Sequence, residues 1–289
     1  MSAGHVAATA GRMLLGGRLR ALRRAAGMSL AGAAAVLDEP PEAVRRLEEG
    51  RVALAADRLG TLLAAYGRLD AAGTARLLAQ AERANAPGWW EEYGDVLPDW
   101  LADHVGLEEH AQLIRVYAPA VLPDLLQSPA YAAALLRRQH PGESEQRLGR
   151  RLELLRGRQA VLERAAPRPP AVWALVEEAT LRRRVGGPAV LREQFAHLRR
   201  LVERPGFTIR VVPLHTAHSA LLCGPVQMIR YRPSELPDLV LLSTLGGAEI
   251  CERPQIVRQY LMALDSAASV RDSVPITDWI AKWEERAVA

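Results

Sequence analysis

Lysine is nearly absent from this 289-residue chain: of 37 basic side chains only Lys282 is a lysine, and the rest are arginine. Cysteine is scarce too. Cys223 and Cys251 are too few for a disulfide framework, and no cysteines and histidines fall at zinc-site spacing, so no metal is expected. No stretch approaches the roughly eighteen uninterrupted apolar residues of a membrane span. The segment Met1 to Leu15 has too short an apolar run, and no clear cleavage site, for a signal peptide. The chain also lacks a Gly-x-Ser-x-Gly elbow, a phosphate loop and a dinucleotide fingerprint. The paired glycines in GGPAV at Gly186 and LGGAE at Leu245 read as turns or helix starts, so no cofactor is expected. Aromatics make up only 5%, but hydrophobic residues reach 49% and charged ones 24%, which excludes wholesale disorder. A net charge of +4 permits nucleic-acid binding without arguing for it. These absences predict a cytoplasmic protein, and the length suits two domains.

What is present begins with short helices. Leu15, Leu19, Leu22 and Ala26 recur at i, i+4, i+7 and i+11 as one apolar stripe, and Gly27 stops that helix. Ser29 can cap a second helix running through the alanine-rich stretch to about Leu37. A third starts near Pro40-Pro41, buries Val44 and Leu47 and ends before Gly50. A fourth carries Leu59, Leu62, Leu63 and Tyr66 on one face, and a fifth covers about Ala71 to Ala84. Residues 1–84 thus predict an all-α bundle whose second and third helices form a helix-turn-helix.

Asn85-Ala86-Pro87-Gly88 is a turn-rich linker, and beyond it, over residues 89–289, the pattern becomes mixed α+β. Helices are expected at about Trp100–Gln112, Ser128–Arg138, Ser144–Glu163, Glu193–Glu203 and Gln255–Ser269. Strands are expected at Leu113–Tyr117, Ala171–Val176, Thr208–Pro213, Leu221–Tyr231 and Leu239–Leu242. The tryptophans Trp89, Trp90, Trp100, Trp279 and Trp283 read as core and domain-docking residues.

The segment RLRALRRAAGMSLAGAAAVLDEPPEAVRRLEEGR resembles the helix-turn-helix of the xenobiotic-response-element (XRE) repressor family. The stretches IRVYAPAVLPDLLQSPAYAAALL, VWALVEEATLRRRVGGPAVLREQFAHL and RPGFTIRVVPL resemble the uncharacterised domain attached to it in actinobacterial regulators. This resemblance implies a cytoplasmic, homodimeric regulator whose large domain senses a small molecule or a small partner protein. It also implies DNA contacts by Arg45, Arg46 and Arg51, by the Ser29 cap, and by the first-helix arginines Arg20, Arg23 and Arg24. The reading helix departs from the family pattern. Leu30 stands where a glutamine touches phosphate, Asp38 replaces the turn glycine and Glu39 replaces an apolar plug. Pro40 is the third-helix cap, and Glu42 and Ala43 occupy the first base-facing positions. A carboxylate there can accept from cytosine N4 but cannot bond a phosphate.

In the second part, Tyr117 and Gln127 bracket a proline-rich elbow that can wall a pocket. Glu177 and Glu178 follow the strand containing Trp173, where an indole could raise a carboxyl pKa and make it an acid. His215 and His218 lie three apart in a loop suited to proton transfer. Ligand contacts are therefore expected from Tyr117, Gln127, Trp173, Glu177, Glu178 and His218. Two functions fit. One is a transcriptional regulator biased by its second domain. The other is a regulator-derived, cofactor-free enzyme of the cyclase or isomerase type, acting on an apolar natural-product intermediate. Glu178, His215 and Tyr117 would be its catalytic groups.

Overall fold

A computed structural model describes residues 9–165, 168–217, 224–232, 236–244, 247–269 and 271–288. They group into two compact units, one built from 9–92 and 98–110, the other from 93–97 and most of 111–288.

The first unit is helical: α1 (Ala10–Ala25), α2 (Leu30–Val36), α3 (Pro41–Glu48), α4 (Ala56–Tyr66), α5 (Ala71–Asn85) and α6 (Asp99–Glu108). The apolar stripes meet as expected, with Leu15, Leu19, Val44, Leu47, Leu59 and Leu62 all buried in one cluster. Ser29 accepts from the Gly32 amide at 3.0 Å and Asp70 from the Gly73 amide at 2.7 Å, so each fixes a helix start. Helix α1 lies directly against the end of α3. A Cβ on Gly16 would stand 2.5 Å from the Glu48 carbonyl oxygen, and one on Gly50, at φ +70, 2.6 Å from the Met13 nitrogen. Beside this contact Arg23 is 7% exposed and Glu48 3%. Their side chains meet twice, Nε to Oε1 at 2.5 Å and Nη2 to Oε2 at 2.9 Å, and Arg23 Nη1 donates to the Met28 carbonyl at 2.8 Å. Arg23 thus cross-links α1 to α3, and its expected place at a DNA phosphate is corrected: the guanidinium faces inward.

The second unit contains a mixed sheet in the order β6-β5-β4-β1-β2-β3-β7. Strands β1 (Leu113–Ala118), β2 (Ala171–Glu177) and β3 (Phe207–Val212) run parallel. Strands β4 (Val226–Arg230), β5 (Leu239–Thr244), β6 (Gly247–Cys251) and β7 (Val274–Pro275) pair antiparallel. Strand β2 is buried on both faces over 174–177, which is why it reads as an apolar run rather than an alternation. Helices α7 (Pro129–Gln139) and α8 (Glu145–Gln159) lie between β1 and β2 in sequence, and α9 (Glu178–Arg182) and α10 (Pro188–Val202) between β2 and β3. Helices α11 (Pro254–Ala267) and α12 (Ile276–Val288) close the chain. The core includes Tyr117, Leu175, Val212, Val226, Met228 and Val240, packed with Val257 and Leu264 of α11. Strands β6 and β7 and helices α9 and α12 were not anticipated. Of the strand expected at 221–231, the part from Val226 is confirmed, while 221–223, with Cys223, lie outside the described residues.

The segment 93–97 is tied to α8 by arginines. Arg150 meets the Asp95 carboxylate at 2.7 Å, Arg147 donates to the Asp95 carbonyl at 2.9 Å and Arg151 to the Val96 carbonyl at 2.7 Å. Arg151 also grips Glu143 through two bonds of 2.8 and 2.7 Å, and this hydrogen bonding lowers the Glu143 carboxyl from 4.5 to about 2.

Glu48→Gln leaves a buried guanidinium without its counter-charge and should cost about 3–5 kcal/mol in a urea melt followed by circular dichroism. The double variant Arg23→Met, Glu48→Leu should instead lie near the parent or above it, and equal damage in both variants would refute a charge-pair origin. At Glu143 the folded-state pKa is depressed, so its stabilisation is present above 4.5 and disappears as pH falls from 4.5 towards about 2. Glu143→Gln should melt below the parent at pH 7, and the gap should close on approaching pH 2.

Candidate functional site

The helix-turn-helix is shaped by backbone bonds at the end of α2. The Glu39 amide donates to the Ala34 carbonyl at 3.0 Å and the Asp38 amide to Ala35 at 3.3 Å, with Asp38 at φ 52. This is a left-handed helix stop in which aspartate stands where glycine is favoured. Glu39 pairs with Arg58 of α4 at 2.5 Å, so the turn is pinned by charge in place of an apolar plug. Pro40 caps α3 without a side-chain hydrogen bond.

On α3, Arg45 donates to both Glu42 oxygens at 2.8 Å and lies 3.9 Å from Glu49, which also holds Arg51 at 2.9 Å. Arg20 donates to the Glu48 carbonyl at 3.3 Å. The Ser29 hydroxyl is engaged by the Gly32 amide. Arg46 and Arg24 are exposed and have no ion-pair partner among the described residues. The outward positions of α2, Ala31, Ala35 and Val36, carry no side-chain donor. Arg46 on α3 and Arg24 on α1 thus keep their charges uncommitted among the described residues, whereas Arg45 and Arg51 are held by carboxylates.

In the second unit a cavity of about 640 Å³ opens where β2 and β3 end. Glu178, the first residue of α9, forms part of its wall. Residues 213–216 come from the loop after β3, residues 271–274 from the approach to and start of β7, and Trp279, Lys282 and Trp283 from α12. Glu178 accepts from the Leu214 amide at 2.9 Å and from Arg182 Nε at 2.8 Å, and Trp279 also hydrogen-bonds it. Burial works to raise the Glu178 carboxyl, but the Leu214 amide, Arg182 and Trp279 together outweigh it and hold the group below its ordinary value. The expected raised pKa is thereby corrected: Trp173 lies against Arg115, the donors around Glu178 favour its charged form, and the carboxylate is ionised at neutral pH. Phe195 packs edge-on against Trp279 and Trp283, with ring centres 5.8 and 4.9 Å away. These two tryptophans are packed as expected, yet they also line the cavity.

The structure brings Glu178 and His215 together in this cavity and places the other candidates elsewhere. Tyr117 donates its hydroxyl to Glu177 at 2.8 Å, with both residues buried between adjacent parallel strands. Trp173 lies under the Arg115 guanidinium at 4.5 Å, and Arg115 pairs with Asp265 at 2.7 Å. Gln127 is 2% exposed, with its side-chain amide donating to the Leu122 carbonyl at 2.7 Å and its main-chain carbonyl accepting from Gln159 at 3.0 Å. His218 lies outside the described residues. Arg271, Lys282 and Trp283 were not anticipated as cavity residues, although the singularity of Lys282 was a signal in plain view. Among the described residues no group of histidine, cysteine and acidic side chains could hold a metal ion, and no helix is long and apolar enough to cross a membrane.

Residues 101–280 match the family model of a domain of unknown function, DUF5753, and residues 19–71 match a helix-turn-helix model. No curated protein and no solved structure matches the chain. The helix-turn-helix is of the XRE type and supports a DNA-binding regulator.

The Glu42–Arg45 clamp gives a prediction about charge. Glu42→Ala removes a carboxylate from the leading edge of α3 and frees Arg45. Affinity for a random duplex, read by fluorescence anisotropy, should rise at low salt, and the log–log salt slope should steepen by about one. An unchanged slope would mean that Arg45 does not face the duplex.

Proposed function

The chain belongs to the DUF5753 family, whose model covers more than half of its length, and we propose that it is a ligand-responsive, DNA-binding transcriptional regulator. In this reading residues 1–84 bind DNA as a homodimer and residues 89–289 hold the effector. The observation that carries it is the α2–turn–α3 geometry, with Arg46 of α3 and Arg24 of α1 exposed and without an ion-pair partner among the described residues. Arg46 contacts the duplex directly, Arg24 approaches the backbone from α1, and Arg20, Arg45 and Arg51 join once their carboxylates release them. Ser29 contributes the start of α2, where amides suit a phosphate. Two copies would address half-sites about 34–36 Å apart.

A small-molecule effector is supported by the cavity, whose volume of about 640 Å³ suits a molecule of drug-like size. Binding is favoured there over acid catalysis, because three donors fix Glu178 as an anion with no proton to give.

The test is a salt titration of the purified protein against its own promoter region and a random duplex of equal length. Preference for the promoter and a steep fall in affinity with salt are expected. Arg46→Ala should weaken binding and reduce the salt slope by about one. Equal affinity for both duplexes at low salt would overturn the reading.

A further inference from the structure

We infer that the cavity at the ends of β2 and β3 takes an organic monoanion with a flat apolar body, such as an aromatic or polycyclic carboxylate. The inference rests on the cavity being the effector site and adds the chemistry of what enters it. It adds a charge to the apolar small molecule that the sequence suggested.

The cavity sits where open sheets bind ligands. Glu178 directly follows β2 and the loop 213–216 directly follows β3, so the cavity lies beyond the carboxyl ends of two adjacent parallel strands. Open sheets of this kind expose their connecting loops at that edge, where variation costs the core nothing, and ligands bind there.

Three cations line the cavity, Arg182, Arg271 and Lys282, and two carboxylates, Glu178 and Asp272. Arg182 is neutralised by Glu178 at 2.7 Å. Asp272 accepts from the Ser269 hydroxyl at 2.8 Å and is turned into its own loop. Arg271 and Lys282 have no ion-pair partner among the described residues, and the balance of the lining is one positive charge. A single carboxylate completes that balance, an uncharged ligand gains nothing from it and a cation is repelled. Lys282 is also the one place where this chain uses a compact ammonium on a flexible stem rather than a planar fork. Such a group can follow a carboxylate whose position varies among ligands.

Trp283 is half-buried, with Phe195 fixed edge-on against it at 4.9 Å. Trp279 is held by Glu178 on one side and by Phe195 on the other. The cavity therefore has rigid indole walls on the same helix as Lys282, which suits a planar body with its charge at one end.

The experiment uses the full-length protein and two dyes of similar size. One is the anion 8-anilinonaphthalene-1-sulfonate, the other its uncharged analogue N-phenyl-1-naphthylamine, each excited through tryptophan. The anion should bind more tightly, and Trp283→Ala, which removes one of the two indole walls, should weaken both dyes. Lys282→Met and Arg271→Met should each weaken the anion about threefold and together about tenfold at low salt. The uncharged dye should be unaffected by either change. Both positions are exposed, so the variants should keep the parent's circular dichroism and melting temperature. Equal anion affinity in the double variant, or tighter binding of the uncharged dye by the parent, would overturn the inference. So would failure of both dyes to bind, although promoter binding would then leave the regulator reading standing. Charge-dependent dye binding with no promoter preference would sustain the anion site and remove the regulator.

Discussion

The first unit depends on one buried charge pair. Helix α3 has only two buried apolar side chains, Val44 and Leu47, and by itself eight residues cannot hold a helix in water. Arg23 and Glu48 supply the missing constraint. Their twin hydrogen bonds fix the azimuth of α3 against α1, and the near-contact at Gly16 and Gly50 fixes its distance. Tyr66 at the end of α4 packs close by in the same core, and burial pushes its phenol up to about 12. A buried pair of this kind contributes little net stability over apolar residues of the same volume, but removing one half is costly. Its effect is therefore geometric: it decides which face of α3 turns outward, and Arg45, Arg46 and Glu42 follow from that.

The second unit applies the same chemistry to a different end. Glu178 is a carboxylate kept ionised by an amide, a guanidinium and an indole, each from a different segment: the loop after β3, α9 itself and α12. Thr180 ties α9 to the end of β1 through the Ala118 carbonyl at 3.0 Å. A short helix with little apolar surface is thus held at the edge of the sheet by polar bonds. In the cavity beside it the two carboxylates are already bonded, and Arg271 and Lys282 have no ion-pair partner among the described residues.

Much of the helical unit was legible because its periodicity is local. Leu15, Leu19 and Leu22 announce α1, and Ser29, Gly27 and Gly50 mark where helices begin and stop. Arg23 was not legible. It lies four residues after Leu19 and one after Leu22, so it borders the apolar stripe, but nothing in a linear pattern says that Glu48 waits opposite. The same holds for Tyr117 and Glu177, which meet only because β1 and β2 pair in parallel with Tyr117 beside Leu175. Strand β6 was missed because it is a five-residue edge strand entered through glycine, and β7 because it has two residues. Helix α12 begins directly at the end of β7, with no capping residue to signal its start. With it went the recognition that Trp279, Lys282 and Trp283 share a wall.

Arginine usage links the two units. Read as composition, 36 arginines suggest a surface made for anions, yet many of them are internal fasteners. Arg23, Arg45, Arg150, Arg151, Arg182 and Arg230 each bond a carboxylate with two nitrogens or two bonds. The planar guanidinium suits that task because both of its bonds can be made without bending the stem. Net charge is then a poor guide to binding, since a cation counted in the sum can be fully committed to its neighbour. What matters is which cations keep their charge uncommitted at a place shaped to receive something. Among the described residues these are Arg24 and Arg46 in the helical unit, and Arg271 and Lys282 at the cavity.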